Sequence, residues 1–147
     1  RRFNFETVRP ISDRVFEAEL IARALDAELG PQRPLLAPPV LDVLVTAFAD
    51  LRTGRTEAGT PVKRPDAVMS TAEAVNVAIA ASMAARYLGD GTVRAGDIAR
   101  QIVGVAQKGE EEDARLVRHY VDNVVRQRAR GSRPWREFFD AAEGLWS

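Results

Sequence analysis

Residues 70–88, "STAEAVNVAIAASMAARYL", decide the fold. Ser70 or Thr71 suits a helix N-cap, because a hydroxyl there accepts a bond from a first-turn N–H. From Ala72 to Ala85 alanines and Val75, Val77, Ile79 and Met83 leave little polar surface. A helix apolar all round is a central one, and its alanines let neighbours approach closely. Ile79 is then expected to lie among other helices. Glu73, Asn76 and Arg86 make the stretch too polar for a membrane span, and it is slightly short of one.

Outward from this helix every long segment reads as helical. Toward the N-terminus, "TGRTEAGTPVKRP" (53–65) is a polar loop with Gly and Pro punctuation. Before it, Pro38 and Pro39 suit a helix start, and Val40, Leu41, Leu44, Val45, Phe48 and Leu51 form one apolar face. "PQRPLLAPP" (31–39) is a proline-rich connector. A further helix runs from an N-cap at Ser12 or Asp13 to Gly30-Pro31, with Val15, Phe16, Leu20, Ile21 and Leu25 inward.

Toward the C-terminus "GDG" (89–91) is a turn, and Ala95–Gln107 is a short helix with Ile98, Ile102, Val103 and Val105. Lys108-Gly109 breaks it. Residues 110–130 read as one uninterrupted helix with Leu116, Val117, Tyr120, Val121, Val124 and Val125 inward. Its acidic start and basic end complement the helix dipole. Pro134 opens a last helix carrying Trp135, Phe138, Phe139, Leu145 and Trp146. At the other end Phe3, Phe5 and Val8 alternate with polar residues as a half-buried strand does, up to Pro10. The expectation is an all-α bundle of about six helices with one short N-terminal strand. That strand needs a partner, and the chain starts at Arg1 without Met; together these predict a longer parent protein.

Composition narrows the function. The 147 residues suffice for one core, with 46% hydrophobic and 29% charged residues. Zero formal charge argues against a surface-wide attraction to nucleic acid or membrane. With no Cys, thiolate metal sites and disulfides are excluded, and a reducing, cytoplasmic setting is expected. A single His, His119, rules out a multi-His metal centre within the chain. Glu110–Asp113 reads as a solvated helix start, because consecutive helical residues point in different directions.

No GxxxxGK[ST], HExxH or GxSxG motif is present. Two basic features remain. Between residues 115 and 136 seven arginines (115, 118, 126, 128, 130, 133 and 136) face Asp122 alone. They form either a charged helix end or a face for an acidic partner. Arg1 and Arg2 precede the strand, where arginine suits bidentate phosphate contact and, supplied across a subunit boundary, accelerates phosphoryl transfer.

Taken in order, "RRFNFETVRPI" (1–11), "FEAELIARAL" (16–25) and "MSTAEAVNVA" (69–78) resemble the end of a MoxR-type AAA+ ATPase, over residues 1 to about 105. In that family an "RRF" or "DRF" element carries the arginine finger, leads into the last strand of the ATP-binding core, and is followed by a helical lid. The resemblance implies a division into 1–10, the end of the core; 11–105, the lid; and 106–147, a C-terminal extension. It implies that Arg2, with Arg1 second, acts in trans on a neighbour's ATP. Ser70, Thr71 and Glu73 mark the sensor-2 region, whose usual arginine is absent from Ser70-Thr71-Ala72. ATP and Mg are expected in the full-length parent and none on this segment, which lacks Walker A and Walker B and is inactive alone. The implied partners are the ATP-binding core of the same protein, neighbours in a homo-oligomeric ring, and a von Willebrand A-type protein. The implied function couples ATP binding and hydrolysis to chaperone-like remodelling. The alternative is a free-standing helical interaction module that uses the basic 115–136 face.

Overall fold

Pro38 and Pro39 open the helix about which the others are arranged, α2 (Pro38–Thr53), in a computed structural model that describes residues 10–65 and 70–146. Proline in a first turn gives up an N–H that has no partner there and presets the helical φ. The helix stops at Gly54, whose φ of 82° is left-handed and whose N–H donates to the Asp50 carbonyl at 3.0 Å. A side chain at Gly54 would be strained at that φ, and its Cβ would come within 3.0 Å of Arg64.

Around α2 lie α1 (Pro10–Leu29), α3 (Thr71–Leu88), α4 (Ala95–Lys108) and α7 (Arg133–Trp146). Between the last two runs a single rod: α5 (Glu111–Tyr120), a π-helical turn (Val121–Val125) and α6 (Arg126–Ala129). The architecture is therefore an all-α bundle of six rods among the described residues. No strand occurs among them; two isolated bridges, Leu35 with Thr92 and Arg55 with Pro61, tie connectors together. The strand expected at 3–8 lies outside the described residues.

The centre of the bundle is α2 and not α3. Val43 through Phe48 are buried without a break, so α2 has neighbours on every side. In α3 one stripe is buried, Ala74, Val77, Ala78, Ala81, Ser82 and Ala85, at helical spacing. Met83 and Tyr87 face outward, at 44% and 70% exposure, and Ile79 is half-buried. Alanine misleads here because it is the best helix former and exposes little area, so it sits as readily outside as inside.

Three further details differ from the sequence reading. The first helix is already formed at Pro10, so Ser12 and Asp13 lie inside it instead of capping it. Ile21 and Leu25 are fully buried, but Val15 and Phe16 are about 60% exposed; Glu17, buried beside them, takes the inward position. The 110–130 segment is interrupted by the π turn, which no apolar spacing announces.

One apolar core includes residues from Ile21 to Ala142. At Gly96 on α4 the packing is tight: an added Cβ would sit 3.2 Å from Ala141 Cβ on α7. That contact, with Trp135, Phe138 and Ala142 buried, seats α7 on α4 and α2.

Candidate functional site

Asp50, the last acidic residue of α2, is fully buried, and four elements meet on it. On one side Tyr120 from α5 donates its hydroxyl to Asp50 Oδ2 at 2.7 Å, and Arg128 Nη1 from α6 donates to the same oxygen at 2.8 Å. Arg128 also donates to the Tyr120 oxygen at 3.3 Å and stacks on Trp135 of α7, 4.7 Å from the ring centroid. On the other side Arg14 from α1 places Nη2 3.8 Å from Oδ1, while its Nη1 donates to Thr46 Oγ1 at 3.3 Å. One turn further along α1, buried Glu17 accepts two bonds from Arg52 of α2, at 2.8 and 3.3 Å.

The π turn is what brings Tyr120 and Arg128 together. Eight residues of α-helix turn about 80° past two full turns, which would point the two side chains apart. A π turn takes up about one extra residue and returns them to the same face. Burial, followed by the charge of Asp50, pushes the Tyr120 hydroxyl well above its ordinary range, although Arg128 acts the other way. The hydroxyl therefore keeps its proton and remains a donor. Burial works against the charge of Arg128, but Tyr120 and Asp50 more than offset it, so its guanidinium is held more firmly protonated than usual.

The cluster joins side chains of α1, α2, α5 and α6. Its chemistry is positional: one carboxylate fixes α1, α2 and the rod relative to one another. The sequence reading missed Asp50. The signal present was a carboxylate inside "VTAFADL", four residues after Thr46 and flanked by Phe48 and Leu51 on the apolar face.

The basic 115–136 stretch is used partly within the domain, although every one of its arginines except Arg128 is exposed. Three of its arginines lie over aromatic rings of α7: Arg118 over Trp146, Arg126 over Phe139 and Arg128 over Trp135, at 4.7–5.5 Å. Arg115 pairs with Glu112, and Arg133 with Glu137 at 3.5 Å. Asp122 stands 4.0 Å from Arg118 and 3.8 Å from Arg126. Arg130 and Arg136 are exposed. Glu143 on α7 meets Asp122, and partial burial, a hydrogen bond to Asp122 and its charge raise the Glu143 carboxyl above the ordinary range despite Arg126 and Arg118.

The remaining candidates fall as follows. Arg1 and Arg2 lie outside the described residues. Ser70 is the N-cap of α3, its Oγ accepting from the Glu73 N–H at 3.1 Å; Thr71 opens the helix, and all three are half-buried. Glu111 and Glu112 are exposed while Asp113 turns inward. His119 is exposed, and its carbonyl accepts from Asn123 Nδ2 at 2.8 Å. Among the described residues no group of three His, Cys, Asp or Glu side chains is placed to hold a metal. No described helix is long and apolar enough to cross a membrane.

A family model described as the YehL-like AAA+ ATPase C-terminal domain matches residues 22–145. Among curated proteins, the chain is similar to "Uncharacterized protein YehL" from Escherichia coli (strain K12), 37% identical over 147 residues, which is 99% of this chain and 40% of the relative. The chain thus spans about two fifths of the length of that relative. No solved structure matches it.

Proposed function

Because this chain belongs to the family of YehL-like AAA+ ATPase C-terminal domains, we propose that it works as a helical lid, coupling the nucleotide state of an AAA+ ATPase to remodelling of a client. The observation that carries the reading is the family match, which takes in the last eight residues of α1 and every later helix. Two structural features support it. The helices share one core, so the domain is suited to moving as a body when nucleotide changes. Its polar ties run across the bundle from α1 to α7, which resists internal shear.

The finer parts of the proposal follow the MoxR resemblance. Arg2, with Arg1 second, would reach a neighbouring subunit's ATP in a cytoplasmic ring. ATP and Mg would be held by the ATP-binding core and not by this domain. A von Willebrand A-type protein is the proposed partner. At Ser70-Thr71-Ala72 the family's usual arginine is missing, and Ser70 Oγ is engaged in its own helix cap. The α3 start therefore contributes to the lid by packing, without a charge directed at phosphate.

The test uses the complete ATPase that carries this chain. Arg2→Ala should cut ATP turnover at least tenfold while ATP affinity stays within about twofold, since an arginine finger acts on the transition state. Unchanged turnover would remove Arg2 from its assigned role.

A further inference from the structure

Among the described residues the backbone of α1 packs on those of α2 and α3 and not on that of the rod which carries Tyr120 and Arg128. The two nevertheless share Asp50. Its two oxygens are used unequally. Oδ2 accepts bonds of 2.7 and 2.8 Å from the rod. On the α1 side the Arg14 contact at 3.8 Å is an ion pair without a hydrogen bond. Asp50 Oδ1 and Arg14 Nε are both buried, with no hydrogen-bond partner among the described residues. Arg14 bonds Thr46 instead, one helical turn away on α2.

Arg14 thus has two arrangements open to it. It can bond Thr46, as here, or close onto Oδ1 and gain a charge-assisted hydrogen bond, roughly twice as strong as a neutral one. Closing requires an inward shift of about 1 Å, the difference between a loose ion pair and a hydrogen bond. Two donors on Oδ2 already draw on the single negative charge of the carboxylate, and that weakens its pull on Arg14.

We propose that α1 and the C-terminal rod compete for Asp50, so that release of the carboxylate by Tyr120 and Arg128 draws α1 inward onto α2. Asp50 is then a positioning residue joining two parts of the domain whose backbones do not pack together. The two-state element is the Arg14 side chain. Since α1 follows the segment bearing Arg1 and Arg2, a shift of α1 is felt at that end of the domain. That use in relaying nucleotide state rests on the proposed function; the competition itself rests on geometry and is tested without ATP.

The measurement is backbone amide hydrogen exchange over residues 14–29 in the complete protein. Tyr120→Phe removes one donor from Oδ2 and keeps the ring in place. It should slow exchange in α1 about threefold, the lower end of what one hydrogen bond contributes. Val117→Ala, equally buried in the rod but with no polar group to bond Asp50, should leave α1 unchanged or faster. Adding Arg14→Gln should abolish the slowing. Faster or unchanged α1 exchange in Tyr120→Phe overturns the proposal, as an ordinary loss of packing would give that result. Slowing that survives Arg14→Gln overturns it too, because the signal would then bypass Asp50.

Discussion

At the scale of single residues the domain depends most on a charge placed where charge is expensive. Asp50 is fully buried, and its cost is met by two donors on the rod, Tyr120 and Arg128, and by a looser ion pair with Arg14 of α1. Burying a paired charge adds little net stability, but removing one partner strands the others. Asp50→Ala should therefore destabilise the fold by about 3–5 kcal/mol, since it leaves Arg128 and Tyr120 facing an apolar hole. Asp50→Asn keeps the shape and one accepting oxygen, so it should cost less, about 1–3 kcal/mol. Denaturant unfolding of both variants decides it: equal losses would mean that shape, not charge, is what α2 needs there. Asp90, in the turn after α3, shows the contrast. Its carboxyl is lowered to about 2 by Arg94, which bonds it at 2.8 Å, and by the Thr92 N–H, yet the pair is exposed and adds a local clasp without bearing on the core.

At the scale of elements, part of the arginine-rich stretch also serves contacts within the domain. The rod and α7 pack side by side, and arginines of one lie on aromatic rings of the other. A guanidinium stacked on a ring keeps its outer edge in water while its plane covers apolar surface. The weak point of this pairing is the meeting of two carboxylates, Asp122 in the π turn and Glu143 on α7. A carboxyl whose pKa is raised by folding contributes stability below its unfolded pKa and loses it as pH rises through the folded value. Glu143 follows that sign, so at neutral pH it opposes the rod–α7 contact. Glu143→Gln should raise the melting temperature at pH 7 and leave it unchanged near pH 4, where the native residue is already protonated. A gain of the same size at both pH values would show that the amide helps for some other reason.

At the scale of the whole molecule, the described residues share one core without a seam. Gly96 against Ala141 brings α4 and α7 to near contact, and α2 is covered by residues from both ends of the chain. Ending the chain at Lys108 would uncover the α7-facing sides of α4 and α2. The shortened chain should lose cooperative thermal unfolding and near-UV circular dichroism while keeping part of its helical far-UV signal. A sharp melt from that truncated form would establish residues 11–105 as a lid that folds by itself. For a domain proposed to swing as nucleotide changes, a continuous core is an advantage, since motion at one end arrives at the other with little lost in between.

Helix positions were legible in the sequence because their causes are local. Pro38-Pro39, Ser70, Gly54 and Lys108-Gly109 act on the backbone within a turn of themselves. The Ile98, Ile102 and Val103 stripe likewise reports its own buried face. The order of "RRF" and the two helical motifs pointed to an AAA+ C-terminal region for the same reason, since a motif is a local pattern. Only the tertiary structure decided which helix is central: α3 read as apolar all round and α2 as carrying one apolar face, yet burial depends on what else arrives. It alone decided that Phe16 faces out and Glu17 in, because Arg52, 35 residues away, supplies the pairing charge. The Asp50 cluster is of the same kind. Its members come from Arg14 to Arg128, and a π turn that no spacing encodes aligns two of them. Charges this far apart in the chain meet only after the core has closed around them.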